Sequence, residues 1–297
     1  MAAQDLRILY MGMLGQFSLL PLQSLVDANI NVCAVVVPGV PTSQPGPDRD
    51  LPVTQPGPDS IATLAGDHGI PLVGVSDLSD RCVSRVATFE PDVLMVACFP
   101  YILPPSLRSL PRRGCFNLHP SILPAYRGPA PLFWQFRMGE TRTGVTLHRI
   151  IAKPDSGDIV LQRTIELAEG VTEGEISIRL ARLGGAVMLE ALDLLDRQAL
   201  PSKQQQEKDS SYFSWPREKD FRLSTRWSAR RAYSFIQGTS NWGRKYEIEA
   251  DGLRFTTRSA LAYSSTGRLP AQFVKVGREL QLQFSPGVLR IPAPATE

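Results

Sequence analysis

Three nearly uninterrupted apolar runs, 6–11 (LRILYM), 31–37 (NVCAVVV) and 92–99 (DVLMVACF), constrain the fold of this chain more than any other feature. A strand with water on one side alternates apolar and polar residues. Runs that lack this alternation belong to strands covered on both faces, as in a parallel sheet flanked by helices. Between the first two runs lie Gly12-x-x-Gly15 and an apolar-periodic segment over 17–26. The order strand, helix, strand implies a right-handed parallel unit. The same pattern predicts further strands at 71–75, 114–118, 144–150 and 159–165, and helices over 60–68, 78–88, 131–138 and 173–197. The expected class is α/β: a doubly wound, mostly parallel Rossmann-like sheet.

At 297 residues the chain exceeds the usual length of one domain. After the long 173–197 helix, the polar stretch 203–214 (KQQQEKDSSYFS) lacks apolar periodicity and reads as a linker. Beyond it, one helix near 228–236 and alternating segments at 245–249, 253–257, 272–276 and 279–284 suggest a small, mostly β module. The expected division is a first domain over 1–201, a linker over 202–214 and a β-rich, barrel-like (OB-like) domain over 215–297. Residues 38–59 form a Pro/Gly-rich insertion in which QPGPD occurs twice. Its length exceeds that of ordinary connections, so it is either functional or tolerated, and the length prior favours tolerated.

Hydrophobic residues make up 43% and charged residues 21%, which argues against disordered or fibrous architecture. No run approaches the roughly 18 apolar residues of a membrane span, and the N-terminal stretch is unlike a signal peptide. The expectation is a cytoplasmic protein without membrane partners, and a monomer by default. Cys33, Cys82, Cys98 and Cys115 show no C-x-x-C spacing and three sit in apolar runs, which suits reduced core thiols. No metal is expected. Charge is uneven: residues 1–202 carry 16 Lys+Arg against 20 Asp+Glu, and residues 203–297 carry 16 against 9. The basic C-terminal part could meet a polyanion or simply aid solubility.

Gly12-x-x-Gly15 sits where a dinucleotide fingerprint would, but one glycine is missing and the second strand ends in Val36-Val37-Pro38 rather than an acid. A tight turn is the better reading, and no NAD is expected. The informative segment is 114–131, GCFNLHPSILPAYRGPAP. Asn117 and His119 stand two apart, so on a strand both side chains emerge on one face, where an amide and an imidazole could converge on one carbonyl. The plain alternative is a satisfied core histidine. Asp155, in KPDSGD after the 144–150 strand, could orient or charge His119, or could belong to an ordinary turn. No G-x-S-x-G elbow, P-loop or Cys–base pair is present, and His68 and His148 form no metal-ligand spacing with His119.

Taken together, Asn117-Leu-His119, Ser121-Ile-Leu-Pro-Ala-Tyr-Arg-Gly128 and Asp155-Ser-Gly157 resemble, in order, the motifs of the folate-dependent formyltransferase family. Over both domains the likeness is greatest to members that formylate methionyl-tRNA. The resemblance implies the formyltransferase fold and transfer of a formyl group from 10-formyltetrahydrofolate, as cosubstrate, to a primary amine. It implies Asn117, His119 and Asp155 as the catalytic set. Phe99, Pro100, Tyr101, Ile102, Leu103, Ser121, Ile122, Leu123, Pro124, Lys153 and Pro154 would hold the folate, and Gly12, Tyr126, Arg127, Gly128, Arg230 and Arg231 would meet the acceptor. A tRNA acceptor would be gripped by the basic C-terminal domain, where Arg217, Lys219, Arg222, Arg226, Arg230, Arg231, Arg244 and Lys245 interleave with Trp215, Trp227, Tyr233 and Trp242. In the tRNA-directed members the loop after the second strand is basic, whereas 38–59 carries Arg49 against Asp48, Asp50 and Asp59. A small-molecule amine, such as an amino sugar or amino-acid derivative, is the alternative acceptor; weaker alternatives are a folate hydrolase and a non-catalytic RNA-binding protein.

Overall fold

The computed structural model describes residues 5–39 and 60–293; most of the Pro/Gly-rich insertion lies outside the described residues. By contacts the chain divides into two units, one comprising 1–129, 144–165 and 177–212, the other 130–143, 166–176 and 213–297. The expected boundaries at 201 and 215 differ from this division chiefly because the 131–138 helix groups with the C-terminal segment.

A seven-stranded sheet has the order β3 (Leu72–Val75), β2 (Val32–Pro38), β1 (Ile8–Gly12), β4 (Val93–Ala97), β5 (Gly114–His119), β6 (Arg142–Arg149) and β7 (Ile159–Glu166). The first five strands run parallel, as the unalternating runs require: every residue of β1 and β4 is buried. β6 departs from this pattern and pairs antiparallel with β5. Chain order reverses between β1 and β4, which leaves a crevice at their carboxyl ends, the usual ligand position in open α/β sheets. The strand predicted over 92–99 stops at Ala97; Cys98 has φ 58° and is exposed rather than in the core.

Helices α1 (Gln16–Asp27), α2 (Ile61–Asp67), α3 (Asp80–Ala87), α4 (Pro105–Arg108), α5 (Pro131–Met138) and α6 (Glu173–Asp196) follow the predicted periodicity, α4 excepted. In α6 the pair Gly184–Gly185 gives up helix propensity for close packing. A Cβ at Gly184 would lie 2.3 Å from Leu118 Cδ2, and one at Gly185 would lie 2.2 Å from Ser24 Oγ. Leu118 thus faces α6, and its neighbours Asn117 and His119 occupy the opposite face of β5.

In the second unit, α5 is apolar on nearly all sides because it lies inside an aromatic cluster. The Phe133 ring is 5.2 Å from Phe221, 5.4 Å from Phe235 and 5.1 Å from Trp242. Helix α7 (Ala229–Gly238) is accompanied by a three-stranded sheet, β10 (Leu253–Thr257), β9 (Tyr246–Ala250), β8 (Arg222–Leu223). A four-stranded antiparallel sheet has the order β11 (Ala262–Ser264), β14 (Val288–Pro292), β13 (Glu279–Gln283), β12 (Phe273–Val276). The sequence reading missed β14, although it lies between two partners: VLRIP follows Ser-Pro-Gly and is too short to display a period. Among the described residues no helix is long and apolar enough to cross a membrane.

Candidate active site

β5 delivers Asn117 and His119 to one face, and the antiparallel register sets His148 of β6 directly opposite Asn117 and Thr146 opposite His119. Because β6 is antiparallel, its carboxyl end lies away from that of β5, and the segment after Arg149 must fold back to bring Asp155 to the pair. Gly157 permits this return: a Cβ there would fall 1.9 Å from Arg149 O. Asp155 itself has φ 50°, an uncommon backbone state for a non-glycine residue.

The four side chains form one network. Asp155 Oδ2 accepts from Gly128 N at 2.9 Å; its Oδ1 is 3.4 Å from Asn117 Nδ2, 3.7 Å from His119 Nδ1 and 3.6 Å from His148 Nε2. His119, 5% exposed, has Nε2 2.8 Å from Tyr126 O. A carbonyl only accepts, so Nε2 carries the hydrogen, and in the neutral ring Nδ1 presents a lone pair toward Asp155. Burial lowers the His119 pKa below its ordinary value, against the opposing field of Asp155, and the ring is neutral near pH 7. For Asp155, burial acts to raise the pKa, but the charge that His119 carries once protonated and the Gly128 N–H outweigh it and hold the carboxyl well below the usual range. A buried neutral imidazole facing a permanent carboxylate is an arrangement suited to accepting a proton and stabilising the cation that results.

The loop 121–128 is held from two sides. Thr146 Oγ1 donates to Ser121 O and accepts from Leu123 N, and Gln162 Nε2 donates to Leu123 O; the Leu123–Pro124 peptide is cis. Ser121 is fully buried, with Oγ donating to Ala125 O. On the other side lies the stretch read as a linker. Ser211 Oγ accepts from Tyr126 N and Ser211 O from Arg127 N. Gln205 Nε2 donates to Asp155 O at 2.9 Å and to Gly157 O at 2.7 Å, while its Oε1 accepts from Arg127 Nε and Nη2. Arg127 is 3% exposed and also donates to Glu207, so its guanidinium is spent on joining these loops rather than presented to an acceptor. Lys153 reaches the same Glu207, and Pro154 is exposed.

At the carboxyl end of β1, a Cβ on Gly12 would lie 2.8 Å from Ser18 Cβ, so the glycine lets Ser18 Oγ donate to Ala97 O and accept from Met13 N. The segment after β4 is mixed. Phe99 and Tyr101 meet edge to face at 5.6 Å and pack on the sheet core, and Leu103 is buried; Pro100 is exposed, and Ile102 is 73% exposed. Ile122 and Tyr126 are half-buried. Arg230 and Arg231 belong to the second unit, where Arg230 pairs with Glu169 and Arg231 stacks on Trp227 at 4.0 Å and donates to Arg137 O. Of the aromatics interleaved with the basic residues, Trp215 is exposed, whereas Trp242 packs on Phe133 and donates to Glu173.

The fold and these motifs define a formyltransferase. Residues 62–192 match the family model described as formyl transferase. The methionyl-tRNA formyltransferase of Moorella thermoacetica is 32% identical over 281 residues, covering 92% of this chain and 86% of the relative; that of Geobacter sulfurreducens is 30% identical over 92% of this chain and 84% of its own. Among solved structures, WlaRD, a sugar 3N-formyltransferase determined with dTDP and 5-N-formyl-THF, superposes with TM-score 0.67 at 16% identity, covering 98% of each chain. Methionyl-tRNA formyltransferase from Clostridium thermocellum gives 0.55 at 15% identity, covering 97% of this chain and all of its own. The chain belongs to the formyltransferase family: it is a folate-dependent N-formyltransferase.

Proposed function

We propose that this enzyme transfers the formyl group of 10-formyltetrahydrofolate to a primary amine at Asn117, His119 and Asp155, and that the acceptor is the methionyl amine of methionyl-tRNA. The convergence of these three side chains, with Asn117 and Asp155 38 residues apart in sequence, carries the reading. The amine nitrogen attacks the formyl carbon; His119 takes the amine proton at Nδ1, with Asp155 stabilising the imidazolium. Asn117 Nδ2 donates to the formyl oxygen as it becomes anionic, a kind of contact worth roughly 3 to 4 kcal/mol in other enzymes. The bond from carbon to N10 then breaks, and the His119 proton passes to N10, leaving tetrahydrofolate and an N-formyl amine. The exposed Ile102, beside Phe99 and Tyr101, offers apolar surface for the pterin, with Leu103, Ile122, Leu123 and Pro124 shaping the slot and Lys153 near the acidic tail.

The 30–32% identity to methionyl-tRNA formyltransferases over 92% of the chain supports the tRNA acceptor, as does the excess of Lys and Arg beyond residue 203. The charge of 38–59 favours a second reading, a small-molecule amine, because that segment has little with which to neutralise phosphates. Tetrahydrofolate release from 10-formyltetrahydrofolate, measured with methionyl-tRNA, uncharged tRNA, amino sugars and amino acids, separates the two. Release that needs methionyl-tRNA supports the first reading, release only with a small amine supports the second, and release unchanged in His119→Ala refutes the assigned chemistry.

A further inference from the structure

His148, which the motifs do not include, is 2% exposed on β6 and forms a cross-strand pair with Asn117. Its Nδ1 is 2.9 Å from Arg149 O, so Nδ1 carries a hydrogen, and in the tautomer with that hydrogen alone the second nitrogen is a pure acceptor. That nitrogen, Nε2, lies 3.1 Å from Asn117 Nδ2. A carboxamide has a donor end and an acceptor end of nearly the same shape, and only the donor end can face a lone pair. We propose that His148 is a positioning residue that fixes the orientation of the Asn117 carboxamide through the bond from Nδ2 to its Nε2, so that the donor end is the one offered to the formyl oxygen.

A carboxamide nitrogen has two hydrogens. With one held by His148, the other is directed at Asp155 Oδ1 across 3.4 Å, a long bond. It is the bond most easily exchanged for the formyl oxygen as negative charge develops there. Without an acceptor at position 148 only the long contact to Asp155 distinguishes the two ends of the amide, and that contact is the one given up to the formyl oxygen, so nothing would then keep the amide from flipping and turning an oxygen toward the developing oxyanion. A histidine buried merely for packing would need one satisfied nitrogen and a fitting shape. This one spends its second nitrogen on a side chain of the proposed catalytic set.

The inference rests on Asn117 acting as oxyanion donor, and a double-mutant cycle tests it. Steady-state kinetics would compare the wild type with H148L, H148Q, N117A and N117A/H148L, using whichever amine supports turnover. H148L should lower kcat about 10- to 100-fold with KM for 10-formyltetrahydrofolate within about twofold. H148Q, whose Oε1 can accept from Asn117, should recover most of the loss. N117A/H148L should be no slower than N117A alone, a non-additivity that a packing role would not produce. If H148L does not fold, His148→Met replaces it in the cycle. Wild-type kcat in H148L, equal losses in H148L and H148Q, or additive losses in the double variant would overturn the assignment to His148 while leaving formyl transfer intact. A wild-type enzyme that transfers formyl with N117A unimpaired would instead refute the role of Asn117, and this inference with it.

Discussion

Gln205→Leu should damage the site from a position that touches no reacting atom. The side chain is 7% exposed and makes four hydrogen bonds: two donated to the carbonyls of Asp155 and Gly157, and two accepted from Arg127. Each neutral bond contributes about 1 kcal/mol, and the charge-assisted pair, which ends on one oxygen, about 1.5. Leucine supplies neither donor nor acceptor, so two carbonyls and a guanidinium that is itself 3% exposed lose their partner, and about 3.5 kcal/mol of stability should go with it. For a unit of this size that corresponds to a fall of about 7 to 14 °C in Tm. The carbonyls released belong to the loop that carries Asp155, so kcat should fall at least about tenfold through loss of geometry. Differential scanning calorimetry and tetrahydrofolate release check the two effects. A Tm within about 2 °C of wild type together with unchanged kcat would show that the 202–212 stretch is a passive tether and that the reasoning is wrong.

Gly157→Ala should cost activity about a hundredfold, since its Cβ would meet Arg149 O at 1.9 Å and the loop two residues from Asp155 must move; kcat in the purified variant checks it. Thr143→Val should stabilise the protein by about 1 kcal/mol, because Thr143 Oγ1 is buried without a hydrogen-bond partner and valine has the same shape; denaturant titration reads the change. The pH dependence of stability follows from His119. Burial lowers its folded pKa below the ordinary 6.5, so just below pH 6.5 the unfolded chain binds more protons and stability falls as pH drops, whereas above 6.5 the residue contributes no slope. Urea melts at pH 5.5 and 7.5 should show this difference, reduced in His119→Asn. The Asp155 contribution lies in a separate window: its folded pKa is depressed below the ordinary 3.8, so it stabilises above that value and is lost as pH falls further.

Part of the site was legible before any coordinate. Asn117 and His119 share a face because side chains alternate along any strand, and the unalternating runs announced a sheet covered on both sides. The place of Asp155 after the 144–150 strand makes it a candidate, but only the motif resemblance chooses that role over an ordinary turn, since its approach depends on a backbone state at φ 50° and a glycine two residues on. His148 has no metal-ligand spacing to mark it in the sequence, because its partner is an amide across a strand pair. The stretch 203–214 lacks periodicity and so reads as a linker, but Gln205 and Ser211 bind loop main chain, and such partners impose no period on a sequence. Trp242, placed by its charged neighbours among groups for a nucleic acid, is in the aromatic core.

What the sequence determined by itself is what local backbone geometry dictates: the buried parallel strands, the helices of regular period, and the presentation of Asn117 and His119 together. The tertiary structure decided which residues complete the site. The antiparallel direction and register of β6 put His148 opposite Asn117, and the folded-back loop brings in Asp155, with Gln205 fastening it. Strand direction and register come from main-chain hydrogen bonds between segments some 30 residues apart or more, which any side chain can accompany. The identities of these residues therefore carry no local trace of the partners they meet.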